Sequence, residues 1–176
     1  MANVYTPPPR TMIEVFENLP EGTLAQLINN QIYMSPTPKS IHQIVLAEIF
    51  NSLFNYVKAN NLGRALVSPF DVFLNQKNVY QPDIVFLANK NLTGLKENGF
   101  YGAPDLIIEI LSPATWNFDK EEKKDQYERS GVKEYWVVDP VSKLAEGYYL
   151  ENNQFVALPA AEGRVNLRLL DLGLRF

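Results

Sequence analysis

The order of hydrophobic patterns along the chain predicts a mixed α/β (α+β) fold, in which a mixed β-sheet is flanked by helices. An N-terminal hairpin and a C-terminal strand meander complete it. Three observations carry this reading. Ile41, Val45, Ile49, Leu53 and Val57 recur at fourfold spacing, which is a helical period. Apolar runs at 83–87 and 105–111 read as strands, the second buried on both faces. A densely charged segment, 119–130, separates these runs from a last series of short strands divided by turn residues.

The elements follow in order. Residues 1–10 carry Pro7, Pro8 and Pro9 and read as an extended arm; residues 11–176 read as a single domain. Thr11 and Glu14 form a capping-box pattern that opens a short helix, which Pro20 ends. Segments 24–28 and 31–34 flank Asn29-Asn30, a tight hairpin turn. Ser40 and Gln43 repeat the capping-box spacing and open the long helix, with Gly63 as its stop. Strands are expected at 65–67, 70–74, 83–87 and 105–111. The charged segment 119–130 reads as a helix ended by Gly131. Strands at 134–139, 147–150 and 155–158 follow, with Asn152-Asn153 as a turn, and the meander continues from Val165.

Composition narrows the chemistry. The chain has 176 residues, no cysteine and a single histidine, His42. That excludes disulfides, thiolate nucleophiles and Cys-based zinc sites, and it excludes a multi-histidine metal site within one chain. Carboxylates are plentiful and suit hard cations such as Mg²⁺ or Mn²⁺. No apolar run approaches the ~20 residues of a membrane span, so no membrane partner is expected. The start, MANVYTPPPR, lacks an apolar signal region, which predicts a cytoplasmic protein. With 16 basic and 20 acidic residues the net charge is −4, which opposes strong non-specific nucleic-acid binding.

The chemistry-bearing residues lie in the middle of the chain. Glu109 interrupts the apolar strand 106–111, and a buried carboxylate must be neutral, paired or metal-bound. Alone, it reads first as a structural ion pair or a carboxylate at the sheet edge. Pro82-Asp83 and Pro104-Asp105 each precede an apolar strand, and each alone is ordinary turn chemistry. Asp105 and Glu109 share a face but stand about 13 Å apart, too far to hold one ion. A shared ion therefore needs Glu109 and a carboxylate from a neighbouring strand, for which Asp83 is placed if the two strands pair. On the charged helix, Asp119, Lys123 and Tyr127 fall on one stripe. The bland reading of that helix is a solvated surface. Yet Tyr127 is its only large apolar-bodied side chain, and docking Tyr127 brings Lys123 and Asp119 over the sheet. Two carboxylates, a backbone carbonyl such as that of Ile110, and a lysine are the minimal set for metal-assisted phosphodiester hydrolysis.

The motifs Gln81-Pro-Asp83-Ile-Val, Ala103-Pro-Asp105-Leu-Ile-Ile-Glu109-Ile-Leu-Ser-Pro113, Asp119/Lys123/Tyr127 and Gly131-Val-Lys-Glu-Tyr-Trp136-Val-Val-Asp139-Pro resemble the Uma-two family. These are restriction-endonuclease-like proteins of the PD-(D/E)XK nuclease superfamily, and the resemblance spans about residues 11–170. It implies a restriction-endonuclease-like core and a Mg²⁺- or Mn²⁺-dependent endonuclease acting on DNA. In it, Asp83 and Glu109 match the metal-binding acids. The motif lysine would fall at Leu111, and Lys123 on the following helix matches the migrated one. His42 matches a histidine at the start of the long helix. Where the family carries a glutamate, this chain has Gln26, which keeps the shape and loses the charge. That motivates the alternative reading, an inactive nuclease-fold protein that binds nucleic acid or a protein. A glycosidase acid/base pair is weaker: it leaves Lys123 without a role, and Trp116 and Trp136 are few aromatics for a sugar cleft. Cleaving both strands usually takes two active sites, so a homodimer is expected.

Overall fold

The computed structural model describes the backbone of residues 8–112 and 119–176, and the side chains of 8–112 and 121–176. Most of the predicted arm, Trp116 and the side chain of Asp119 lie outside these residues. In chain order the helices are α1 (Met12–Glu17), α2 (Ser40–Ala59) and α3 (Asp119–Ser130), with a short 3-10 helix at Asn89–Gly94. The strands are β1 (Ala25–Ile28), β2 (Gln31–Met34), β3 (Gly63–Val67), β4 (Val72–Asn75), β5 (Asn78–Tyr80), β6 (Ile84–Ala88), β7 (Leu95–Lys96) and β8 (Gly99–Tyr101). They continue with β9 (Leu106–Ile110), β10 (Glu134–Val138), β11 (Leu144–Glu151), β12 (Gln154–Ala157), β13 (Ala161–Glu162), β14 (Arg164–Leu167) and β15 (Leu172–Arg175).

The expected mixed β structure flanked by helices is present, and it divides into two sheets plus a terminal hairpin. The larger has the order β12-β11-β10-β9-β6-β3, with β13 also on β11, and only β9 and β10 run parallel in it. The smaller has the order β2-β1-β5-β4-β8-β7. The strand pairing that the site requires is present: β6 and β9 are antiparallel neighbours, with Ile84 opposite Ile108. One step further sets Asp83 opposite Glu109. Residues opposite each other in an antiparallel pair point to the same face.

Helix α2 covers one face of the larger sheet. Val45, Ile49, Leu53 and Val57 pack on Ile84, Phe86, Ile108 and Trp136, and β14 and β15 close the layer with Val165 and Leu174. Each such fully buried side chain stabilises the fold by about 1.5–3 kcal/mol. Gly147 sits on Trp136, where an added Cβ would come within 2.5 Å of the indole. The opposite face carries Ile107, Tyr135 and Val137, and takes α3 through Tyr127. The alternation of β9 thus sends Ile108 and Ile110 toward α2, and Ile107 and Glu109 toward α3.

Local signals mostly act as expected. Thr11 and Glu14 form the reciprocal capping box of α1. Asn29 and Asn30 have φ of 48° and 66°, as the hairpin turn requires. Three readings need correction. The N-cap of α2 is Lys39, not Ser40, because the amide of Gln43 donates to the Lys39 carbonyl, and no side chain caps this end. Ile41 is exposed, so the core stripe of α2 begins at Val45. The helix stops at Asn60 and Asn61, the latter with φ of 51°, and Gly63 instead opens β3. There a Cβ would overlap the carbonyl oxygen of Leu87.

Candidate active site

A cleft of about 680 Å³ opens where the ends of β6 and β9 meet the start of α2, the face of α3 and the edge of β1. Gln26, His42, Asp83, Glu109, Ile110 and Lys123 line it. The structure therefore brings together all the site residues named from the sequence except Tyr127, which stands behind the wall, and Asp119, whose side chain is outside the described residues.

Two strands fix the carboxylates. Asp83 precedes β6, where its carbonyl accepts the Ser68 amide at 3.0 Å. Its Oδ2 accepts the Ile110 amide at 2.7 Å and lies 3.2 Å from His42 Nε2. Since a carboxylate only accepts, Nε2 is the protonated nitrogen of this contact. His42 Nδ1 is buried and has no partner among the described residues. Burial opposes the imidazolium, but the hydrogen bond and charge of Asp83, the charge of Glu109 and the Ile110 carbonyl outweigh it and raise the His42 pKa.

Glu109 is buried within β9. Its Oε1 accepts from Tyr127 at 2.7 Å and from Lys123 at 3.2 Å. Burial pushes its pKa up; Lys123 pulls it down, Asp83 pushes it further up, and Tyr127 pulls it down, with a net rise. Burial, then the Glu109 charge, holds the Tyr127 hydroxyl well above its ordinary range, so it remains a donor.

The docking of α3 follows from the one residue that can anchor it. Tyr127 is fully buried between Tyr80 and Tyr135, with ring centroids at 5.5 and 5.1 Å. Lys123, one turn earlier, then comes to the same carboxylate oxygen. Asn29 of the hairpin turn donates to Glu122, and Glu128 accepts the Phe155 amide, which holds the helix at both ends.

Gln26 reaches the cleft from β1. Its Oε1 accepts the Gln81 amide and its Nε2 donates to Ser35 Oγ, both at 3.4 Å. Gln81 in turn donates to Asp71 at 2.8 Å and to the Thr23 carbonyl at 3.2 Å. The sequence reading missed this relay, because Asp71 has no local pattern that marks it. Asp105 takes the structural role expected of it. It accepts from Ala88, Asn91 and Lys133, far from the cleft.

The donor set suits a hard cation. Among the described residues no group of three or more His, Asp and Glu side chains is arranged as a metal cluster. Asp83 Oδ1 and Glu109 Oε2 nevertheless carry no hydrogen bond there, while Oδ2 and Oε1 are engaged. Two carboxylate oxygens and the Ile110 carbonyl are the ligands such an ion would take.

The chain matches the family model described as "Putative restriction endonuclease" (Uma2) over residues 13–175. No curated protein matches it. Its structure is similar to a crystal structure from Anabaena variabilis described as "a putative nuclease belonging to DUF820", with a TM-score of 0.76, 19% identity and 95% of each chain covered. No helix among the described residues is long and apolar enough to cross a membrane.

Proposed function

The chain belongs to the Uma2 family, and from that premise we propose that it is a Mg²⁺- or Mn²⁺-dependent endonuclease that hydrolyses DNA phosphodiester bonds. One observation supports this above the others: Asp83 and Glu109 face each other on paired strands, and a lysine reaches Glu109 from a helix of its own. A divalent ion bound there supplies Lewis acidity toward the phosphate and a more acidic bound water. The residues do the rest. Ile110 and His42 orient Asp83 by its Oδ2 and leave Oδ1 toward the cleft. Tyr127 holds Glu109, and the Lys123 ammonium stands where it can offset charge developing on the phosphate.

Purified protein is expected to nick supercoiled plasmid in Mn²⁺ or Mg²⁺, and Asp83→Asn and Glu109→Gln are each expected to abolish this. Undiminished nicking by both variants would overturn the assignment. A second reading, an inactive nuclease-fold binding module, is favoured by the neutral amide of Gln26 and by Leu111, which lines the cleft where the motif lysine would stand. Calorimetry separates the two, since the inactive reading requires no heat with millimolar Mn²⁺. A homodimer and a cytoplasmic setting belong to this proposal as well, and sedimentation at micromolar concentration tests the dimer.

A further inference from the structure

A second cavity of about 280 Å³ adjoins the cleft and shares Lys39, His42, Leu111 and Ser112 with it. Ile41, Asp139, Pro140 and Val141 form its remaining wall. Resting on the nuclease reading, we propose that this cavity is a nucleobase subsite, which takes one unpaired base next to the phosphate held in the cleft.

Size supports a single base. The cavity lies just below the ~300 Å³ at which sites for whole drug-sized ligands begin, so it suits one ring system. The chemistry of its walls agrees. Ile41, Leu111, Pro140 and Val141 are apolar, and enzymes that receive an extruded base hold it between aromatic or apolar side chains. Continuity with the cleft gives the polarity of the arrangement. Lys39 belongs to both cavities, so a backbone phosphate can lie against it while the base enters one side and the scissile bond the other.

The fold leaves two large aliphatic side chains uncovered at this rim. Val141 is 76% exposed and Ile41 is 41% exposed. The backbone that carries Val141 is tied by hydrogen bonds: Asp139 accepts the Val141 amide at 2.8 Å and the Ser142 hydroxyl at 2.7 Å, and the Asp139 amide donates to the Leu144 carbonyl at 2.8 Å. A backbone so tied has little conformational freedom left to lose on contact. Net charge points the same way. At −4 the chain gains little from phosphate attraction alone, so apolar contact with a base has to supply affinity that basic proteins draw from counterion release. A subsite for an unpaired base makes the protein prefer single strands, junctions or frayed ends over intact duplex.

The test is binding of a thymidine dodecamer carrying one 2-aminopurine, in EDTA, on a Glu109→Gln background that removes cleavage. The single strand is expected to bind at least about tenfold more tightly than a duplex of the same sequence. Val141→Ser and Ile41→Ser are each expected to weaken it about fivefold to tenfold, without changing duplex binding. Both residues are exposed, so neither change threatens folding, and Val156→Ser, which lines neither cavity, is the control. Equal binding of single strand and duplex, or unchanged single-strand affinity in both variants, overturns the proposal. So does a shift in sedimentation with Val141→Ser at unchanged affinity, which would make the rim a contact between two copies of the chain. Failure of this subsite is separable from failure of the nuclease reading. Nicking that depends on Asp83 but not on Val141 removes only the subsite; Val141-dependent binding without nicking removes only the nuclease.

Discussion

The two ends of β9 carry buried carboxylates in opposite circumstances. Asp105, just before the strand, is closed in by the Ala88 amide, the Asn91 amide group and Lys133. Burial would raise its pKa, but Lys133 and these hydrogen bonds outweigh burial and lower it. Glu109, four residues on, has Tyr127 and Lys123 on one oxygen and a cleft beside the other, and burial together with Asp83 raises its pKa. A carboxylate surrounded by donors is a structural clamp. A carboxylate crowded by another acid and left open on one side is poised for a cation or a proton.

The sharpest way to break this comparison is to neutralise each end in turn. Glu109→Gln is expected to cut metal-dependent nicking by at least about 100-fold while circular dichroism stays unchanged. Asp105→Ala is expected to do the reverse. It strands the donors of Ala88, Asn91 and Lys133, and costs about 2–3 kcal/mol of stability by urea unfolding. Its rate per folded molecule should stay within about threefold of the parent. An Asp105 variant that is stable but inactive would erase the distinction.

The pH dependence should carry opposite signs at the two ends. The folded pKa of Asp105 lies below its ordinary value of 3.8, so its stabilisation is present above that value and is lost as pH falls through the folded one. The folded pKa of Glu109 lies above 4.5, so its favourable contribution is present below that value and disappears as pH rises through the folded one. Melting curves at pH 8 should therefore show Glu109→Gln more stable than the parent, with the gain shrinking toward pH 4. The deficit of Asp105→Ala should be full at pH 8 and shrink only at the acid extreme. Tyr127→Phe removes a hydrogen bond that favours the ionised Glu109, so the acid limb of the pH–rate profile should move to higher pH.

The contrast between the ends was legible in the sequence because it rests on strand alternation and on apolar runs. These set Asp83 beside Glu109, held Asp105 apart, and singled out Tyr127 as the anchor of α3. What depended on distant partners was not legible. The division into two sheets turns on β5, a three-residue strand without a signal of its own, pairing with β1 and β4. Glu134 reads as an ordinary strand residue. Its buried carboxylate in fact accepts from the Trp136 indole and from the amides of Arg168 and Leu169, more than 30 residues on. The cap of α2 moved to Lys39 because a backbone carbonyl, which no sequence pattern marks, starts the helix ladder.

The smallest expected effect sharpens the open end by adding to it. Gln26→Glu places a third carboxylate on the cleft that Asp83 and Glu109 already line. Its oxygens can still accept the Gln81 amide and the Ser35 hydroxyl, so the local hydrogen bonds of β1 survive. Without a cation, the new charge adds to the repulsion that already raises the Glu109 pKa, and the variant should melt below the parent at pH 8. With Mn²⁺, the same charge becomes an attraction, and calorimetry should show affinity raised about tenfold. The deficit in melting temperature should then close or reverse as Mn²⁺ is added, since binding to the folded state alone stabilises by mass action. The matching change at the other end, Asn91→Asp, puts a second acid against Asp105 where no cleft adjoins it. Its instability should not be relieved by Mn²⁺. A cation that rescued both variants equally would show that the two ends of β9 differ in degree only.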